Sequence, residues 1–141
     1  MNSMTDDGII AMLRTRSSPA LRMIGGEVVG YEQARQEVTM RFEATAQMCH
    51  SQVIVQGGFI TAMVDSAMAY AAMGCYAERV AVPTLEIKVN FLEAGNPGPM
   101  LATARVVRLG RTVGFLEADL HQHERRIATA TSTIRIIAPK Q

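Results

Sequence analysis

The sequence predicts an α+β domain in which a curved antiparallel sheet wraps around one long apolar helix. Three observations carry that expectation. From Phe59 to Ala77 the polar side chains are Thr61, Asp65, Ser66 and the tips of Tyr70 and Tyr76, and a helix apolar all round is one enclosed in a core. Downstream, four segments alternate apolar and polar residues with the period of half-buried strands. The turns between them are short, which makes neighbouring strands antiparallel. The helix needs cover on every side and each strand has one apolar face to offer.

The elements follow in order. Asp6 to Arg16 reads as a short amphipathic helix with Ile9, Ile10, Met12 and Leu13 on its apolar side. Asp6 and Asp7 suit its N-terminal end, Arg14 and Arg16 its C-terminal end, and Ser17-Ser18-Pro19 breaks it. A strand is expected over Glu27–Tyr31, after the Gly25-Gly26 turn. A second, Arg35–Glu43, sets Val38, Met40 and Phe42 against Glu37, Thr39, Arg41 and Glu43. After an irregular piece, Ala44–Gln56, comes the long helix from Gly58 to about Glu78. In Val82–Glu93, Leu85, Ile87, Val89 and Phe91 face one way, and Thr84, Glu86, Lys88 and Asn90 the other. Gly95-Asn96-Pro97-Gly98-Pro99 is a strong breaker. Met100–Leu109 and Thr112–His123 flank the tight Gly110-Arg111 turn. Arg126–Ile137 closes the sheet, with Ala128, Ala130, Ser132, Ile134 and Ile136 on one face.

At 141 residues the chain reads as one domain, 1–141, with its core over about 26–138 and no repeat or linker. Hydrophobic residues make up 48% and charged residues 19%, a soluble globular balance rich enough in apolar surface to favour oligomers. A net charge of +1 leaves no electrostatic case for nucleic acid or an anionic membrane. Residues 59–77 are long enough to raise a transmembrane reading. Asp65, the many small residues and the strand pattern that follows argue against it. The N-terminus lacks the basic-then-apolar order of a signal peptide. Cys49 and Cys75 form no disulfide framework or metal cluster and suit a reducing cytoplasm as small buried hydrophobes.

The segment Gln56-Gly57-Gly58-Phe59-Ile60-Thr61-Ala62-Met63-Val64-Asp65 concentrates the chemistry. A lone carboxylate inside an apolar helix is costly to bury, so Asp65 needs a partner, a wet cavity or a reaction to serve. The glycine pair lets a ligand approach where the helix begins, and the first N–H groups there can hold a developing negative charge. The bland alternatives are a structural carboxylate bonded by Ser66 or Thr84 and a glycine pair serving only as a turn. Met63, Met68 and Met73 drift around the helix and read as core filling. His121 and His123 alternate with Gln122 on what reads as an exposed strand face.

This element order and the QGGFITAMVD segment resemble the hotdog-fold acyl-coenzyme A thioesterases of the phenylacetic-acid-degradation (PaaI-like) type. In that family a His-Gly-Gly or Gln-Gly-Gly triplet opens the central helix and an Asp follows eight residues after the first glycine, the spacing of Gly57 to Asp65. "PTLEIKVNFLEAGNPG" (Pro83 to Gly98) is similar to the family's strand and turn after the helix, and "ARVVRLGRTVGFLEADL" (Ala104 to Leu120) to its next hairpin. The likeness spans roughly residues 35–137. It departs from the usual pattern at two places: His50 stands where many relatives carry Asn, and Gln56 where many carry His. Gln is a known variant there and can still donate to a thioester carbonyl.

A thioester needs a donor for the oxyanion and a base or nucleophile to attack. Gly57 N–H, aided by Gln56, supplies the first and Asp65 the second. Eight residues of helix separate the two by about 12 Å at 1.5 Å per residue, too far to share one carbonyl carbon. Two antiparallel helices from different subunits can bring them together, so the motif argues for a dimeric site with Val82–Glu93 pairing across the two-fold. The resemblance implies the same, and further a dimer of dimers. His50 and Thr84 complete the candidate catalytic set, with Thr84 placed to orient water or substrate near Asp65. Arg108 and Arg111 around Gly110, together with Asn90, Lys88, Gly58 and Ser66, are candidates for contacts to substrate and its coenzyme A phosphates. Ala69, Ala72 and Met73 suggest room for the acyl group beside the helix. No P-loop, dinucleotide fingerprint, metal motif or Ser-His-Asp ordering occurs, and coenzyme A enters as part of the substrate rather than as a cofactor. The expected activity is hydrolysis of an aryl-acyl or medium-chain acyl-coenzyme A. The alternatives are a non-catalytic acyl-coenzyme A-binding module and a hotdog hydratase of enoyl thioesters. A gene-regulating sensor would carry a DNA-binding segment, and the first 30 or so residues lack a helix-turn-helix pattern.

Overall fold

A computed structural model describes residues 3–140. Helix α1 covers Asp6–Arg14; Thr5 caps it by accepting from Gly8 N–H, and Arg14 closes its last turn. The Ser17-Ser18-Pro19 break also starts a second short helix, α2 (Pro19–Met23). Ser18 accepts from Leu21 N–H, and Pro19 sits in the first turn, where its missing N–H costs nothing.

Strands β1 (Glu27–Glu32) and β2 (Glu37–Ala44) form the first hairpin. The stretch expected to be irregular contains a small separate hairpin, β3 (Cys49–Ser51) and β4 (Ile54–Val55). It is too short and too poorly alternating to be read as strands from sequence. Helix α3 then runs from Gly57 to Met73, and β5 (Thr84–Phe91), β6 (Gly98–Leu109), β7 (Val113–Gln122) and β8 (Arg125–Arg135) follow. The main sheet is antiparallel, in the order β1-β2-β6-β7-β8-β5. Its concave side packs on α3: Met40, Phe42, Met100, Leu116, Leu120 and Ile134 from the strands enclose Met63, Val64 and Met68. No helix among the described residues is long and apolar enough to cross a membrane.

Helix α3 stops at Met73 rather than near Glu78, and Tyr31 explains why. Its hydroxyl donates to the Ala71 carbonyl at 2.9 Å, satisfying a last-turn acceptor that would otherwise drive continuation. The ring also lies against Gly74, where any Cβ would stand 2.3 Å from Tyr31 Cε2. Burial pushes the pKa of the Tyr31 hydroxyl and of the neighbouring Cys75 thiol upward, which keeps both protonated and suits a packing role.

The expected cover of α3 on every side is incomplete within one chain. Phe59, Ala62, Asp65, Ser66, Ala69 and Met73 are all half-buried, and their spacing of three and four residues makes them one stripe along the helix. Ala72, by contrast, is wholly buried and offers no room for a ligand.

Candidate active site

Asp65 lies on the half-buried stripe and is paired. Thr84 Oγ1 donates to Asp65 Oδ1 at 2.6 Å, which fixes one carboxylate oxygen and leaves the other for chemistry. Simple alternation along β5 would have put Thr84 on the outer face with Glu86 and Lys88. The register shifts between Thr84 and Glu86, a bulge that turns Thr84 to the helix side with Ile87, Val89 and Phe91. The bulged residue, Leu85, is left 60% exposed.

At the other end of α3, Phe59 and Ile60 N–H donate to the Gln56 carbonyl, and the Gln56 side chain makes no capping bond. The Gly57 and Gly58 N–H groups have no acceptor among the described residues. They point their donors out of the helix start, where its partial positive charge is concentrated. Gly57 packs closely under Phe91: a Cβ there would stand 3.0 Å from Phe91 Cζ, so the ring would have to shift slightly to admit one. Beside Gly57 opens a cavity of about 440 Å³ lined by His50, Ile54, Val55, Ile60, Phe91 and Glu93, among others. This volume falls within the ~300–1,000 Å³ of small-ligand sites. His50 reaches it from β3, an element not expected from sequence. Gln56, between Val55 and Gly57 of that lining in sequence, is exposed.

Within one chain the two halves stay apart. Thr84 pairs with Ile134, Ile134 with Gly114 and Gly114 with Leu109, forming one row across the sheet. Phe91 pairs with Ala128 and Ala128 with Leu120, forming another. Thr84 on the first row bonds Asp65 and Phe91 on the second lies against Gly57, so the two residues face opposite ends of β5. The exposed Arg108 and Arg111 lie at the turn that closes the first row, the Asp65 end. Gly110 N–H is committed to the Val113 carbonyl at 2.8 Å, so this amide serves the turn. Ser66 adjoins Asp65 on the half-buried stripe. Asn90 and Lys88 occupy the outer face of the sheet, where Asn90 Nδ2 donates to Thr129 Oγ1 at 3.4 Å, and the fold of one chain does not bring them to Asp65. Gln122, which alternates with His121 and His123 along β7, is buried at 1% exposure.

The family model of the thioesterase superfamily matches residues 53–129, more than half of the chain and inclusive of Gly57, Asp65, Thr84 and Arg111. The chain belongs to the thioesterase superfamily. Its architecture is the hotdog fold, and its reaction class is thioester hydrolysis. Among solved structures it is similar to a phenylacetic acid degradation-related protein of Ralstonia eutropha JMP134, with 27% identity and a TM-score of 0.82 over 90% of this chain and 98% of that one. It is similar in fold to the PaaI protein from the phenylacetic acid degradation operon of E. coli, at 20% identity and a TM-score of 0.80, covering 93% of each chain. In sequence it is 24% identical over 132 residues to the medium/long-chain acyl-CoA thioesterase YigI of Escherichia coli K12, covering 84% of this chain and 85% of that protein.

Proposed function

We propose that this thioesterase hydrolyses acyl-coenzyme A, of aryl-acyl or medium-chain type, at a site shared by two copies of the chain. The observation that carries the reading is the division of the machinery between the two ends of β5. This strand is the last of the sheet, paired with β8 on one side only, and Leu85 and Phe91 on it are 60% and 54% exposed. An exposed edge strand with apolar side chains of this kind is a template for another strand. Antiparallel pairing of β5 with its own copy sets the Thr84 end of one against the Phe91 end of the other. Asp65 of one copy then meets Gly57 of the second.

At that junction the thioester carbonyl oxygen accepts from Gly57 N–H, with Gln56 and His50 lining the approach. In the general-base route Asp65 takes a proton from water as the water oxygen adds to the carbonyl carbon. The C–S bond then breaks, and coenzyme A leaves as the thiol once the proton returns to sulfur. In the nucleophilic route an Asp65 oxygen adds instead, giving a mixed anhydride that water cleaves. Thr84 holds Oδ1 in either case. The arginines of the β6–β7 turn stand at the Asp65 end as candidate phosphate contacts.

The deciding experiment is a panel of acyl-coenzyme A thioesters assayed for free thiol beside Asp65→Asn. Wild type releases thiol, and the variant loses about 10²-fold or more in kcat, the scale for loss of a general base. Single-turnover hydrolysis in ¹⁸O-water separates the routes, since label in the Asp65 carboxylate requires the anhydride. Binding without thiol release would leave a ligand-binding module. An Asn variant as fast as wild type would make Asp65 structural.

A further inference from the structure

Gln122 is a long polar side chain enclosed at the end of β7, and its amide bonds mainly to one residue, with a longer contact from Nε2 to the Pro99 carbonyl at 3.5 Å. Its Oε1 accepts from Asn96 N–H at 2.9 Å and its Nε2 donates to the Asn96 carbonyl at 2.7 Å. The backbone of Asn96 is thus held at both polar groups, as a strand neighbour would hold it. Asn96 lies in the breaker loop between β5 and β6, and that loop carries the β3–β4 hairpin. Asn96 Nδ2 donates to the Val53 carbonyl at 2.9 Å. The carbonyl of Gly95, the adjoining buried residue, accepts from Val55 N–H at 2.9 Å. From Val55 the chain passes through Gln56 directly into Gly57, and the same hairpin presents His50 to the cavity beside Gly57.

These bonds form one connected path, from a buried amide through a loop and a hairpin to the start of α3. The hairpin belongs to a two-stranded sheet of its own, so the main sheet gives it no ladder. We infer that Gln122 is a positioning residue for the Gly57 end of the active site, acting through Asn96 and the hairpin without touching substrate. The inference rests on the reading that Gly57 N–H receives the thioester oxyanion. Donors in such a site act only when preorganised, and a displacement of about 1 Å costs on the order of 10²-fold in rate. Losing the clasp would leave both polar groups of Asn96 unsatisfied and release the loop that aims Gly57.

The test uses Gln122→Leu, which removes the clasp, and Asn96→Ala, which keeps the clasp but cuts the tie to Val53. Two readouts are needed: steady-state thiol release from the best acyl-coenzyme A, and amide hydrogen exchange across residues 49–60 and the β6–β8 ladder. Both variants are expected to lose about tenfold or more in kcat with KM nearly unchanged, the mark of an interaction realised in the transition state. Exchange should quicken in 53–58 while the ladder stays protected. If Gln122→Leu fails to fold, Gln122→Glu, which keeps the acceptor for Asn96 N–H and loses the donor to its carbonyl, takes its place. Wild-type kcat in Asn96→Ala, or a loss confined to KM, overturns the inference, as does unchanged exchange in 53–58. A wild type that releases no thiol from any acyl-coenzyme A counts against the hydrolytic reading instead, and the exchange comparison still judges the clasp.

Discussion

Two inactive variants of this chain, mixed, should regain activity, and the size of the recovery follows from the geometry. Gly57 and Asp65 are eight residues apart on α3, about 12 Å, so a site built from both needs two copies. Asp65→Asn removes the attacking oxygen while keeping the side chain's shape. Gly57→Pro removes the N–H donor at the first helical position, where proline's fixed φ suits the helix. Its ring meets only the outer edge of Phe91, which can rotate away. Each change alone should cost on the order of 10²-fold in kcat, as expected for loss of a general base and of an oxyanion donor. After random exchange of subunits, half of the dimers are mixed, and each mixed dimer carries one site with both native groups and one with neither. Thiol release should therefore recover to about a quarter of the wild-type rate, a count that follows from two-fold symmetry. The assay is thiol release after co-refolding, with mass-tagged chains and native mass spectrometry to establish that mixed dimers formed. Mixed dimers no faster than the average of the two parents would refute the shared site.

Thr84→Val removes the hydroxyl bond to Asp65. At about 1.5–3 kcal/mol for a bond to a charged group, the ceiling on the loss is ~10–100-fold in kcat, with Thr84→Ser restoring most of it. Arg108→Ala and Arg111→Ala should raise KM for coenzyme A thioesters and leave a short thioester without the nucleotide unaffected; equal effects on both substrates would remove these arginines from phosphate binding. Ser132 Oγ is buried without a hydrogen-bond partner among the described residues. Because an unsatisfied hydroxyl costs stability, Ser132→Ala should hold or raise Tm in a thermal melt, and a clear fall would expose a role for the hydroxyl.

The long helix and the four-strand sequence after it were legible because they rest on periodicity, and Asp65 stood out because a carboxylate in an apolar helix is costly to bury without a partner. What escaped had a non-local cause. The end of α3 is set by Tyr31, 40 residues upstream of Ala71, whose carbonyl its hydroxyl reaches. Alternation assigned Thr84 to the wrong face because a bulge at Leu85 inverts the phase of the strand, and a bulge leaves no mark in the hydrophobic pattern. The β3–β4 hairpin pairs over only a few residues and is tied further to Gly95 and Asn96, so little within 49–55 announces it. Plain alternation along β7 sets Gln122 on the face of Leu116, Ala118 and Leu120, opposite His121, so its burial follows the pattern. Its partners do not: Asn96 and Pro99 reach the amide from the preceding loop and the start of β6.

On the proposed shared site, a second copy would cover what a single chain leaves open. The stripe from Phe59 to Met73 is half-buried, β5 has a free edge, and Asp65 and Gly57 face opposite ends of that strand. A parallel pairing of β5 with itself would bring like ends together, setting Asp65 beside Asp65 and leaving each Gly57 without a base. Antiparallel pairing centred near Ile87 and Lys88 unites unlike ends twice, once on each side of the two-fold. On this reading the requirement for catalysis selects one of the two ways an exposed strand can pair, and the bulge at Leu85 has a reason. By turning Thr84 inward, it places the hydroxyl that orients Asp65 on the strand that a second copy must join. Assembly and alignment of the carboxylate would then depend on the same eight residues of β5.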